Sequence, residues 1–302
     1  MSASPRAGRL AATVGLWGLR LVGWLPAHLP PAAGLAAGRW IGDLLWWVLP
    51  GRRRRALDNI RLSLGREMTP REIERLGRRS FQHLGMNLIE ACRYFLRPTE
   101  VMLSQVHVEG VEHLQSAAAR GRGVLILTAH YGNWELLAAA HGLSGLPLSI
   151  VIRPLDHPVL DELAARFRRR SGAELIVKRQ AVREVLQALR RGRMVGILLD
   201  QNATRAEGVF VPFFGVAAST SKGLAVLALR TDAPVVPVFL RRAADGRHCM
   251  DVSAPLEPPP DGDVVAYTAM FNRVIEGAIR RAPEQWLWMH ARWRTRPPGA
   301  GS

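Results

Sequence analysis

The chain has 302 residues, 48% of them hydrophobic and only 22% charged, which suits one large buried core and excludes a disordered chain. Two cysteines, Cys92 and Cys249, exclude a disulfide framework, and without a C-x-x-C they exclude a cysteine-based zinc site. Lys+Arg total 41 against 25 for Asp+Glu, a formal +16 carried almost wholly by arginine. Part of that excess is what a high-GC genome would produce; the rest points to an anionic partner such as a membrane surface, a phosphorylated substrate, an acidic carrier protein or nucleic acid.

Residues 10–25 (LAATVGLWGLRLVGWL) and 32–49 (AAGLAAGRWIGDLLWWVL) are two apolar segments separated by Pro26, Pro30 and Pro31. Each falls slightly short of the ~20 residues a spanning helix needs, and each carries charge. Five of the nine tryptophans (Trp17, Trp24, Trp40, Trp46, Trp47) lie here, a residue that favours the headgroup level of a bilayer. Arg52–Arg55 follow at once. The expectation is an amino-terminal helical membrane anchor, interfacial or marginally spanning, with the rest of the chain on the cytoplasmic side. The plainer alternative is a pair of core helices with a basic loop.

Residues 52–97 read as helical, with Thr69 as N-cap, Pro70 at the first position and Glu72 at the third. From residue 106 the period changes. Short apolar strands (VHVEG, GVLILTAH, LSIVIR, LIV, MVGILLD, PVVPVFLRR) alternate with helices, then comes a closing helix and an aromatic-basic segment. Continuously apolar strands between helices predict an α/β fold with a mostly parallel central sheet flanked by helices.

The segment LTAHYGNWELL brings His130 to the carboxyl end of a strand, where open α/β sheets bind ligands. Five residues along one helix is a rotation of about 140°, so His130 and Glu135 meet only if the helix begins after His130. Gly132 permits that turn and Asn133 is a suitable N-cap. Glu135 is then placed to fix the imidazole tautomer while the other ring nitrogen takes a proton from a hydroxyl.

The HYGNWE segment resembles the H-x4-D/E motif of the lysophospholipid acyltransferase-like superfamily. More narrowly, the chain resembles the late acyltransferases of lipid A biosynthesis, the lauroyl/myristoyl transferases. The stretches that carry the resemblance are IRPLDHPVLDEL (152–163), RRRSG (168–172), LLDQN (198–202), VFVPFFGVAASTSKG (209–223), PVVPVFLRR (234–242) and QWLWMHARWRTRP (285–297), in the family's order and covering most of the chain. The resemblance implies a catalytic domain on the cytoplasmic face of the cell inner membrane. It further implies an acyl carrier protein or coenzyme A thioester as donor, an anionic glycolipid acceptor, and no metal or other cofactor. Asp200-Gln201-Asn202 stands where family members often carry Asp-His or Asp-Arg-Asp, which leaves the acceptor open between a lipid A precursor, a phosphatidylinositol mannoside and a lysophospholipid.

The candidate catalytic residues are therefore His130 and Glu135. The candidate substrate-binding residues are Asn133, Arg153, Arg168, Arg170, Asp200 and Gln201. Arginine forks grip phosphate oxygens in two-point fashion, although Arg168–Arg170 also suit a solvated helix end. VFVPFFG (209–215) reads as an apolar loop that lines an acyl tunnel or packs in the core, and Ser219–Lys222 read as the opening of a helix. Trp286, Trp288 and Trp293 with their neighbouring arginines fit a second membrane contact or a core lid equally well. The organisation expected is an anchor over 1–50, an acyltransferase domain over 51–297 and a disordered tail over 298–302. A lipid hydrolase and a non-catalytic, membrane-tethered binder of anionic lipid or nucleic acid are the competing readings, the latter weakened by the lack of any nucleic-acid motif.

Overall fold

The computed structural model describes residues 24, 26–152, 158–177 and 181–298. Helices α1 (Pro31–Val48), α2 (Pro50–Leu64), α3 (Pro70–Leu96) and the short α4 (Thr99–Leu103) precede the sheet. The Thr69 side chain accepts from the Glu72 amide, and the Glu72 carboxylate accepts from the Thr69 N–H at 2.7 Å, so the capping box that the sequence spells starts α3.

The amino-terminal anchor expected from hydropathy is not what residues 31–48 form. No helix among the described residues is long and apolar enough to cross a membrane. Residues 10–23 and 25 of the first apolar segment lie outside the described residues. The apolar character of α1 serves packing on α3. Gly34, Gly38 and Gly42 form a stripe one turn apart on its buried face. A Cβ on Gly38 would stand 2.5 Å from the Met86 Cα, and one on Gly85 would stand 2.1 Å from the Gly38 carbonyl oxygen. The two helices therefore approach backbone to backbone. Trp46 closes the contact edge-on to Phe81, and Asp43, one of two charges in the apolar run, receives a two-point hydrogen bond from Arg78.

The sheet follows, its order β1-β9-β8-β2-β5-β3-β4. Its strands are β1 (Val106–Glu109), β2 (Val124–Thr128), β3 (Leu148–Ile152), β4 (Glu174–Val177), β5 (Met194–Leu198), β8 (Val235–Arg242) and β9 (His248–Val252). Every pairing is parallel except β8 with β9. Helices α5 (Val111–Ala118), α6 (Trp134–Ala140), α7 (Pro158–Arg170) and α8 (Ala181–Arg190) make the crossovers. Two apolar clusters cover its two faces. One gathers Trp46, Phe81, Leu125, Leu127 and the late aromatics; the other gathers Leu114, Ile126, Leu148, Met194 and Val238.

Two departures from the sequence reading lie after β5. VFVPFFG is not a loop: residues 208–213 form β6 and 216–221 form β7, an antiparallel hairpin of their own. Phe214 (φ 51°) and Gly215 (φ 71°) make its two-residue turn. The Phe214 N–H donates to Glu276 at 2.7 Å, which holds a non-glycine residue in a left-handed conformation. Ser219–Ser221 are thus strand, and the next helix, α9 (Gly223–Thr231), starts after Lys222 without a side-chain cap. A final helix α10 (Val264–Arg281) leads to a segment without regular structure over 286–298.

Candidate active site

β2 and β5 are neighbours in register, with Thr128 level with Leu198. The pairing continues one step through the Leu199 N–H to the Thr128 carbonyl. The next residue on each chain is His130 and Asp200. They meet there: the His130 Nδ1–H donates to Asp200 Oδ1 at 2.8 Å. Asp200 is almost wholly buried, whereas His130 keeps a fifth of its side-chain surface exposed. The second carboxylate oxygen of Asp200 accepts from the Trp286 indole N–H at 2.8 Å. Burial alone would raise the Asp200 pKa, but the His130 charge and hydrogen bond, with that of Trp286, outweigh it and bring the carboxyl to about 2. With Nδ1 committed as donor, the Nε2 of a neutral imidazole is the acceptor. The Gln201 carboxamide nitrogen lies 3.2 Å from it.

The turn after His130 is tightly held. Gly132 has φ 61°, and a Cβ there would fall 1.8 Å from the Leu240 carbonyl oxygen, so only glycine fits. Asn133 caps α6 as its spacing suggested, accepting from the Leu136 N–H at 3.0 Å. Its own amide donates to Glu90 at 2.6 Å, and Asn87 donates to the Gly132 carbonyl at 2.8 Å. Both Asn87 and Glu90 belong to α3. Glu90 sits in a buried cluster with Arg242 and His248. Burial opposes its ionisation, but Arg242 and His248 hold the carboxyl well below its ordinary range. The turn is therefore bolted from behind by a paired, hydrogen-bonded charge cluster.

Glu135 does not reach His130. The helix begins after His130, as the spacing requires, but its first residue, Trp134, stacks edge-on against the imidazole at 5.4 Å. Glu135 turns away toward α7 and takes a two-point hydrogen bond from Arg168, at 2.7 and 3.1 Å. Arg168 is thereby a carboxylate partner. Arg170 clips the end of α7 to the end of α3, donating to the Phe95 and Arg97 carbonyls at 2.5 and 2.6 Å over the Tyr94 ring. Arg153 lies outside the described residues.

The segment after α10 supplies residues that the sequence reading left ambiguous. Trp286 and Trp288 are buried, and Arg292 is wholly buried. Arg292 donates to the Ser219 carbonyl (2.7 Å) and the Thr220 hydroxyl (2.6 Å), and more weakly to the Gln201 carbonyl (3.5 Å). Burial lowers its pKa to about 10, so it stays charged at neutral pH. His290, whose pKa burial lowers to about 4, accepts from the Asn202 N–H, and Thr295 bonds to the Asn202 side chain. Residues 200–202 are thus clamped one after another by 286–295.

An apolar cavity lies against the sheet beneath the strand ends that carry the dyad. Ile126, Thr128, Met194, Gly196 and Leu198 line it from the sheet, Trp134 from α6. Ile126 and Thr128 are alternate residues of β2, and His130 is the next in that row; Asp200 is likewise the next after Met194, Gly196 and Leu198. The cavity therefore runs along the sheet face from which the dyad emerges. Phe213 and Phe214 of the 209–215 stretch, an alternative site for an acyl tunnel, pack against Trp286, Trp288 and Trp293 within the other cluster. One group of possible metal ligands, Glu109, Cys249 and Asp251, lies at the β1–β9 edge, where Asp251 already accepts from Arg241 at 2.8 Å.

Known proteins share this arrangement's sequence. The chain is 31% identical to the lipid A biosynthesis lauroyltransferase of Escherichia coli (strain K12) over 281 residues, covering 92% of this chain and 91% of that one. It is equally identical, over the same length, to the lipid A biosynthesis palmitoleoyltransferase of that organism, covering 90% of it. With the lipid A biosynthesis myristoyltransferase of Escherichia coli it shares 24% over 248 residues, 82% of this chain and 76% of that one. The family description of the bacterial lipid A biosynthesis acyltransferase matches residues 6–295, and the chain belongs to that family of acyltransferases.

Proposed function

We propose that this protein transfers a fatty acyl chain from a thioester, of acyl carrier protein or of coenzyme A, to a hydroxyl of a lipid A precursor or related glycolipid, with His130 as general base. The observation that carries this reading is the Asp200–His130 hydrogen bond just beyond the strand residues Thr128 and Leu198 that line an apolar cavity. Asp200 fixes the tautomer and stabilises the imidazolium; Nε2 takes the acceptor's proton as its oxygen attacks the thioester carbon. The leaving thiolate then takes that proton from His130. The acyl tail lies along this cavity's lining, which offers carbon and almost no polar surface. Attack is direct, because no serine or cysteine stands at hydrogen-bonding distance from His130 among the described residues. Glu135 acts through Arg168 in this arrangement.

The work is done at the inner-membrane surface, on its cytoplasmic face. What supports this is the formal charge of +16, with Arg52, Arg54 and Arg55 exposed, which an anionic lipid surface attracts.

The test uses purified protein, a lauroyl thioester of acyl carrier protein or of coenzyme A, and a lipid A precursor. His130→Ala should abolish acylated product while far-ultraviolet circular dichroism stays unchanged. Near-normal turnover by a folded His130→Ala protein would refute the mechanism. Free fatty acid in place of acylated lipid would point to a hydrolase, and product only with a lysophospholipid or a phosphatidylinositol mannoside would move the acceptor.

A further inference from the structure

The nitrogen that acts as base is already engaged. Gln201 Nε2 stands 3.2 Å from His130 Nε2. Asp200 holds the proton on Nδ1, so a neutral ring presents a lone pair at Nε2, and the carboxamide must face it with its N–H. An acceptor hydroxyl needs that same place, about 2.6–3.2 Å from Nε2. It enters only by moving the Gln201 amide aside.

The backbone around Gln201 does not move with it. Trp286 holds Asp200, Arg292 reaches the Gln201 carbonyl, and His290 and Thr295 hold Asn202. Among the described residues the Gln201 carboxamide has no hydrogen bond besides the one to His130, so displacing it breaks only that contact. A displacement of one hydroxyl width, about 3 Å, leaves its N–H beside the carbon under attack, since attacking oxygen and acyl carbon begin about 3 Å apart. We infer that Gln201 is a catalytic residue: its carboxamide, displaced from His130 Nε2 by the acceptor hydroxyl, donates a hydrogen bond to the oxyanion formed from the thioester carbonyl. The C–O bond forms as the hydroxyl proton passes to His130, the carbonyl electron pair moves to the oxygen that Gln201 holds, and its return expels the thiolate, which takes the proton from His130. The resting contact also keeps the base from water until a hydroxyl competes for it.

This inference rests on His130 being the base, so three variants are assayed together: His130→Ala, Gln201→Ala and the near-isosteric Gln201→Glu. Donors are the lauroyl thioesters named above, the acceptor is a lipid A precursor, and thermal unfolding checks each fold. Loss of an oxyanion donor costs about 10²–10³ in kcat. The expected result is no turnover for His130→Ala and a fall of that size in kcat for both Gln201 variants, with KM within about threefold. If His130→Ala is inactive while either Gln201 variant loses less than about tenfold in kcat, or loses only in KM, the Gln201 role is overturned and the base stands. A rise in kcat for Gln201→Ala overturns it too, leaving only the shielding contact. Turnover by His130→Ala overturns both.

Discussion

Asp200 stands opposite His130 because β2 and β5 run parallel with Thr128 level with Leu198, and each residue lies two places beyond its strand. The dyad is a product of sheet register, so anything that shifts one strand against the other separates it. Its two members then have distinct, testable functions.

Asp200→Asn keeps size and the acceptor for Trp286 but removes the charge behind the imidazole. By analogy with the triad aspartate of serine proteases, kcat should fall by about 10²–10⁴. An unchanged kcat in a folded Asp200→Asn protein would show that Asp200 does not serve His130.

The same carboxylate sets a pH dependence of stability. Its folded pKa, about 2, lies below the ordinary aspartate value of 3.8. The resulting stabilisation is complete above the unfolded value and is lost as pH falls through the folded one. Its full size is about 2 kcal/mol, with about half gone by pH 3. Denaturant titrations of the wild type and of Asp200→Asn from pH 6 to pH 3 should show the difference narrowing by about 1 kcal/mol. A constant difference would contradict the assignment.

Glu135 and Arg168 should behave as one unit. In steady-state assays Glu135→Gln and Arg168→Ala should each lower activity, and the double variant should lose no more than the worse single one. Additive losses would mean that Glu135 works on something other than Arg168.

The cavity predicts control of chain length. The nearest atoms to a Cβ built on Gly196 are 3.8 Å away, so a side chain there grows into the cavity at ordinary contact distance. Gly196→Val should shift preference to shorter chains in competition among C10 to C16 thioesters, with little loss of total turnover on the best of them. An unaltered preference would place the acyl chain elsewhere.

Much of this site was legible in the sequence, for local reasons. The spacing of His130, Gly132 and Asn133 required a turn and a cap, and both are present. What lies across from His130 was not legible, because β2 and β5 are separated in the chain by two other strands, and neighbours in a sheet are set by tertiary packing. Helix spacing could say when Glu135 is able to approach; it could not say that Arg168, 33 residues on, competes for it. Hydropathy failed at α1 for a related reason. It measures composition, and a Gly34-Gly38-Gly42 stripe that fits the backbone of α3 has the same apolar score as one that faces lipid. The clamp from 286–295 has no periodicity at all; its bonds span 70 to 90 residues, and single histidines and arginines gave no pattern to find.

That clamp couples activity to completion of folding. Asp200, Gln201 and Asn202 leave β5 about two-thirds of the way along the chain, but the residues that hold them are synthesised nearly a hundred positions later. A chain folded only through α10 would have a sheet, a cavity and His130, yet an unsecured carboxylate and a loose Gln201. Such an intermediate would bind an activated thioester without the means to direct it. Docking of the late aromatic segment is therefore the step that turns a folded core into a working base.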